Sequence, residues 1–277
     1  MSSVRVGDLN RNERQERVRK TYNRFVRRVF FIIAAIVALV IAWAIVYNSS
    51  AFTIQNVEVN GAEHLTQSEM EQLIDVPEGE TLLRVDVSTI KDRLMQNAWI
   101  QDVSVNRAFP GTLQINVTER TISAIVEIPG ADAKTVKQWA IASDHMWLMP
   151  IPSKDSSAGQ ATSEAIYADA DAALHITDVP YGTSASIGTY CEDSNVNNAL
   201  DIVSGMTTDL ASQVVQVSAA GAEETTLTLD NGVQIAFGKA EHIRDKERVI
   251  LQILSENPDS VSYINVRTVS KPTWRAV

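Results

Sequence analysis

The sequence predicts an α+β protein: a single N-terminal transmembrane helix, a β-α-α-β-β module, then a mixed β-sheet domain with two helices. Three observations carry that reading. Residues 29–47 read VFFIIAAIVALVIAWAIVY, 19 positions without a charge. At about 1.5 Å per residue such a helix spans about 28 Å, close to the hydrocarbon thickness of a bilayer. Residues 52–122 mix strand alternation with two helical stripes, and beyond 122 short alternating runs dominate, joined by turn signals.

Composition sets the outer limits. The chain has 277 residues, 45% hydrophobic and 21% charged, which excludes wholesale disorder and a polytopic membrane protein. A lone cysteine, Cys191, excludes an internal disulfide framework and a multi-cysteine zinc site. Residues 1–28 carry nine Lys and Arg against three Asp and Glu, a balance of +6 that leaves −16 on the remainder of a chain whose total is −10. So acidic a body repels a phosphate backbone, which argues against nucleic-acid binding.

The basic head and acidic body meet at the apolar run. Twelve of its residues are Val, Ile, Leu or Phe, which favour insertion by about 5 kcal/mol together. Trp43 and Tyr47 lie at the far end, where amphipathic rings favour the interface. Arg27 and Arg28 abut the near end, and no further Lys or Arg occurs until Arg84. The positive-inside rule then puts segment 1–28 in the cytoplasm and residues 48–277 outside. A cleaved signal peptide is the rival reading, since Ala42-Trp43-Ala44 has small-x-small form. The long basic head and the long apolar run favour a retained anchor. The Arg-rich head reads as a topology signal, or as a contact for anionic lipid or a cytosolic partner.

In the first module, Phe52, Ile54, Val57 and Val59 fit a strand with a bulge between Ile54 and Val57, and Asn60-Gly61 makes a turn. Thr66-Gln67-Ser68-Glu69 is a capping box ahead of Met70, Leu73 and Ile74 at helical spacing. A second helix opens near Asp86 with Val87, Ile90 and Leu94 on one stripe. Val103 and Val105 begin a strand, and Phe109-Pro110-Gly111-Thr112 suggests a type II turn. Leu113, Ile115 and Val117 return as a half-buried strand.

The second module predicts strands at 123–128, 138–142, 146–149 and 174–177, with the Ser-, Ala- and Asp-rich stretch 153–173 as an exposed loop. A helix is expected over about 195–210, from the spacing of Val196, Leu200, Val203 and Leu210. Strands follow at 214–217 and 224–229, and Asp230-Asn231-Gly232 hairpins the latter to 233–237. A further helix carries Lys246, and Tyr263–Arg267 reads as the last strand, near enough to the terminus to form a sheet edge.

A reading for catalysis is nearly empty. His64, His145, His175 and His242 are scattered, with no HExxH, GxSxG, Walker or Rossmann pattern. Each reads as a surface or structural residue, and Cys191 as an inert thiol. No catalytic residue, metal or cofactor is expected.

VEVNGAEHLT (57–66), GETLLRVD (79–86) and AWIQDVSVNRAFPGTLQINVTER (98–120) resemble the POTRA module of the FtsQ/DivIB family of bacterial division proteins. LTLDNGVQIAFG (227–238), the helix with Lys246 and Tyr-Ile-Asn-Val-Arg (263–267) resemble that family's C-terminal β domain. Asn265 stands where the family usually has Asp, which puts an ionic role there in doubt. The resemblance implies a POTRA domain at 52–122, a C-terminal β domain at 123–270 and a tail at 271–277. It implies a non-enzymatic divisome scaffold of the cell membrane, acting at the division septum in cell-wall assembly. Its partners would be FtsB/DivIC-type and FtsL-type subunits, with an FtsB/DivIC-type segment adding to the C-terminal strand by β-augmentation. On matching positions the contact would involve Tyr263, Val266, Arg267, Thr268, Val269 and Trp274. Ile264 and Val266 read equally as core, and Trp274 as either an interface anchor or a lid on its own domain. Two other classes are weighed: a membrane-anchored extracytoplasmic hydrolase with a site of scattered carboxylates, and a POTRA-bearing transport factor. The second wants a long series of membrane strands that this chain lacks.

Overall fold

The computed structural model of the protein describes residues 6–130 and 135–277, with side chains described from Val26 onward. The basic charges from Arg5 to Arg24 therefore lie outside the described side chains. Helix α1 spans Val6–Tyr47, and within it Val26–Tyr47 is long and apolar enough to cross a membrane, with none of its apolar stretch buried by the protein. The chain divides into two compact units. Of the described residues, one takes in those up to Asn56 with Pro77–Val85 and Ala108–Thr112, and the other holds the rest.

In the first unit α1 runs almost directly into folded backbone. The Asn48 side-chain amide donates to the Ala44 carbonyl at 2.8 Å, and a 3₁₀ turn follows at Ser50–Phe52, with Ser49 as its N-cap. The Ile54 N–H donates to Glu80 at 2.9 Å, that of Gln55 to Gly111 at 2.8 Å, and that of Leu82 to Phe52 at 2.8 Å. These bonds occupy the Ile54 and Gln55 amides and the Phe52 carbonyl that a strand beginning at Phe52 would need, so β1 is only Asn56–Asn60. The Phe109–Pro110 bond is cis and Gly111 does not take a positive φ, so the turn is not the type II turn that the Pro-Gly spacing suggested.

In the second unit the β-α-α-β-β order holds. Helices α2 (Gln67–Ile74) and α3 (Val87–Met95) precede strands β2 (Ile100–Ala108) and β3 (Thr112–Glu119), and the sheet order is β1-β3-β2. The Thr66–Glu69 capping box is present in both directions, and Asp86 caps α3 by accepting from Ser88 and Thr89. Gly61 has φ +86°, and a Cβ there would overlap the Val117 carbonyl oxygen, so both space and conformation demand glycine.

Nine further strands are described: β4 (Ile122–Pro129), β5 (Val136–Ala142), β6 (Trp147–Pro150), β7 (Leu174–Thr177), β8 (Val214–Ser218), β9 (Thr226–Leu229), β10 (Gln234–Ala236), β11 (Val261–Asn265) and β12 (Thr273–Ala276). They form one mixed sheet in the order β12-β11-β10-β9-β8-β7-β4-β5-β6. The β4–β7, β7–β8 and β10–β11 pairs are parallel. Gly232, at φ +84°, closes the expected Asn-Gly hairpin between β9 and β10.

Five helices accompany this sheet among the described residues, three more than the sequence suggested: α4 (Ser157–Ala161), α5 (Glu164–Ala172), α6 (Ser194–Gly205), α7 (Thr208–Ala211) and α8 (Ile243–Glu256). The stretch 153–173 is therefore not an exposed loop. Ser156 and Ser163 cap its two helices, and α5 buries Ile166 and Ala170 against Trp99, Ile125 and Leu148. A polar, alanine-rich composition concealed an apolar face only two or three residues wide. The expected helix at 195–210 breaks after Gly205, because the buried Glu247 carboxylate accepts from the Thr207 N–H at 2.9 Å and from its hydroxyl, starting a new helix. On the other face, α6 and α8 pack Val196, Leu200, Ile202 and Ile250 against Val217, Leu227, Ile235 and Phe237.

Candidate functional site

The C-terminal border of the large sheet is built on β11. Its apolar residues Val261 and Ile264 point into the core, and β10 pairs with it in parallel register, Ile235 opposite Ile264 and Ala236 opposite Asn265. The sequence reading makes Tyr263–Arg267 the last strand and the sheet edge. Instead, β11 ends at Asn265 and its other side is covered by β12, antiparallel, with Ile264 opposite Trp274 and Asn265 opposite Thr273. The Lys271 N–H donates to the Thr268 carbonyl at 3.1 Å, closing a turn that folds the tail back. The Val277 N–H then reaches the Ser260 carbonyl at 3.0 Å, and the Ser262 hydroxyl donates to Ala276 at 2.8 Å. Residues 271–277, expected as a tail, thus contain β12, and β12 is the edge of the nine-stranded sheet.

The named candidates separate on this frame. Tyr263 is half-buried on β11, with the Arg275 guanidinium 4.9 Å from its ring centroid. Val266 is fully buried; its N–H donates to the Ala236 carbonyl at 3.0 Å, so its side chain belongs to the core. Arg267 and Thr268 are exposed and Val269 half-buried in the β11–β12 turn, which opens as the Asn265 carboxamide accepts from the Arg267 N–H at 3.1 Å. Trp274 is 42% exposed on β12. Arg275 and Ala276, also exposed on that strand, escaped the sequence reading. The available signal was the short run Thr-Trp-Arg-Ala, hidden behind Pro272 and the chain terminus.

Beside the turn lies a recess of about 460 Å³ whose lining includes Glu223, Lys239, Asp245, Lys246, Arg267 and Thr268. At its rim the Lys239 ammonium lies 2.6 Å from Glu223; this hydrogen bond lowers the Glu223 pKa and raises that of Lys239. Deeper in, the Lys246 ammonium donates to the Phe237 and Lys239 carbonyls at 2.9 and 2.8 Å and sits 4.5 Å from the Phe237 ring centroid. Burial lowers its pKa. Asn265, where the resemblance implies Asp, spends its side chain on the local turn. Among the described residues, no group of three His, Cys, Asp or Glu is placed to hold a metal ion. What the border offers a ligand is a strand edge flanked by an aromatic residue and cations, chemistry suited to an extended peptide.

Comparison with known proteins agrees in both modules. Residues 52–120 match the family model described as POTRA domain, FtsQ-type, and residues 162–267 match the one described as Cell division protein FtsQ/DivIB, C-terminal. A Cell division protein FtsQ of Bradyrhizobium diazoefficiens is 37% identical over 83 residues, 30% of this chain and 24% of that protein. One of Geobacter sp. (strain M21) is 32% identical over 84 residues, 30% of this chain and 31% of that protein. The chain thus spans about a quarter to a third of those two relatives. A Cell division protein FtsQ of Streptomyces bingchenggensis is 24% identical over 255 residues, 91% of this chain and 86% of that protein. An apolar N-terminal helix followed by a POTRA domain and a large mixed sheet defines the class, a membrane-anchored POTRA protein. With both modules matched in order, the chain belongs to the FtsQ/DivIB family of cell division proteins.

Proposed function

We propose that the chain is a non-enzymatic divisome scaffold of the cytoplasmic membrane that binds FtsB/DivIC-type and FtsL-type subunits through its folded part and coordinates septal cell-wall assembly. The Arg and Lys excess of residues 1–28 supports a cytoplasmic N-terminus and an extracytoplasmic body. One observation carries the binding reading: β12 ends the sheet order, with all four of its residues exposed. A partner segment would add as a tenth strand beside Trp274, with Tyr263, Arg267, Thr268 and Val269 near the contact and Val266 supporting it from the core.

Because the Val277 N–H points inward to Ser260, strand alternation turns the N–H groups of Ala276 and Trp274 outward. Ala276→Pro removes one outward donor and leaves the Val277–Ser260 bond in place. Capture of an FtsB/DivIC-type subunit by the full-length chain in detergent should weaken by about tenfold, the worth of one such bond. Unchanged capture by this variant would overturn the proposal.

A further inference from the structure

We propose a second membrane contact: the Phe109-Pro110 turn, braced by Phe52, dips into the headgroup layer beside the membrane helix. The proposal rests on the membrane-anchored reading of α1. Within the first compact unit, Phe109 is 56% exposed, and its ring meets that of Phe52 edge-on at 5.6 Å. Pro110 is exposed as well, which leaves an apolar tip without a covering side chain.

Two features say what covers it. Only Asn48–Ala51 separate the end of α1 from Phe52, so Phe52 lies at most about 17 Å from Tyr47 even with the chain fully extended. The 3₁₀ turn at Ser50–Phe52 shortens that path. Val26–Tyr47 is 22 residues, about 33 Å of helix, so it reaches just beyond a roughly 30 Å hydrocarbon core. The headgroup zone beyond the core is about 5–8 Å deep on each side, which puts the aromatic pair within its reach.

The second feature is charge. Residues 48–57 and 108–112 contain no Asp, Glu, Lys or Arg, while Asn, Ser, Thr and Gln supply uncharged hydrogen-bonding groups. After the membrane helix the acidic residues of the unit are Glu78 and Glu80, on the loop whose backbone bonds the junction at Phe52 and Ile54, and there Glu80 is paired with Arg84 at 3.4 Å. A turn and a junction without charges of their own, tipped by aromatic rings and tethered at that distance, fit the bilayer interface, where aromatic rings concentrate. The junction is also hydrogen-bonded throughout: the Thr53 N–H to Ser50 at 3.2 Å, the Ile54 N–H to Glu80 at 2.9 Å and the Gln55 N–H to Gly111 at 2.8 Å. The turn is therefore held to the helix end by structure and not by a loose linker.

The test uses the full-length chain with Cys191→Ser, reconstituted in phosphatidylcholine vesicles and spin-labelled at Phe109→Cys or Ile36→Cys. Position 109 should be broadened more by lipid-soluble oxygen than by a water-soluble nickel complex, and it should stay so in high salt, since no charge is involved. A third sample, labelled at Ala51→Cys, should become more open to nickel when Phe109→Asp is added. Nickel-accessible label at 109 beside a protected label at 36 overturns this proposal while the anchor stands; the rings then await a protein. Nickel access at position 36 overturns the anchor reading itself, and this proposal with it.

Discussion

Nδ1 of His64 lies 2.7 Å from a carboxylate oxygen of Glu119, which also accepts the backbone N–H of His64 at 2.8 Å. The same imidazole meets Asp169 through Nε2 at 2.9 Å and stacks on Trp99 at a centroid distance of 4.5 Å. His64 and Glu119 are both buried at the side chain, whereas Asp169 is about half exposed. His64→Ala strips a buried carboxylate of its side-chain partner and should cost about 3 kcal/mol. Asp169→Asn touches only the exposed partner and should cost less than about 1 kcal/mol. Urea melts of the full chain in detergent separate the two, and equal losses would show that burial does not govern the cluster.

Arg120 closes the first module from the inside. Its Nε donates to Asp144 at 2.8 Å, and its Nη1 to the carbonyls of Ala98 and Ile100 at 2.9 and 2.6 Å. Only 8% of the residue is exposed. A lysine cannot reproduce the planar fork, so Arg120→Lys should leave at least one of those groups unpaired and lower stability by about 2 kcal/mol. Thermal unfolding monitored by tryptophan fluorescence checks it, because Trp99 is buried in the adjoining core.

These two residues show where sequence reading reached its limit. The Val-x-Glu-Arg motif at 117–120 was visible, and so were the capping box at Thr66 and the Asn-Gly hairpin, because each is a local pattern with a local cause. The partners of His64 and Arg120 lie 105 and 24 residues away at Asp169 and Asp144, and no periodicity links them. The candidate edge failed for a related reason. β12 is four residues long and its pairing depends on a turn closed by Thr268 and Lys271, so nothing short of the fold distinguishes it from a frayed tail. The helices at 157–172 were lost to composition: Ala and Asp outnumber the Ile166 and Tyr167 that anchor them.

Cys191 provides a chemical prediction. Burial pushes its thiol up to about 11, and the neighbouring Asp193 and Glu192 charges add to the rise. The thiolate is the reactive form, so at pH 8 its population is about a hundredfold below that of a thiol at the ordinary value of 9.0. Alkylation of the folded chain should be slow at pH 8 and speed up about tenfold per pH unit up to about 11. Denaturant should abolish the delay. Rapid labelling of the native chain at pH 8 would show an open, activated thiol instead.

Lys246 gives the opposite kind of test, one of stability. Burial lowers its pKa in the folded chain below the ordinary 10.5. Between the lowered value and 10.5 the unfolded chain holds more protons than the folded one, so this group makes stability rise with pH across that window. Lys239 works in the other direction: its hydrogen bond to Glu223 raises its pKa, so its contribution is present below 10.5 and fades as pH climbs through the raised value. A melt of the native chain alone mixes the two slopes. Lys246→Met keeps an aliphatic stem against Phe237 but removes the titrating group and its bonds to the Phe237 and Lys239 carbonyls, leaving the Lys239–Glu223 side-chain pair in place. The difference between native and variant chains, measured by urea melts from pH 8 to above 10.5, should therefore isolate Lys246. It should grow more favourable to the native chain as pH rises. A flat difference would mean that the two carbonyl hydrogen bonds hold the ammonium as well as water does.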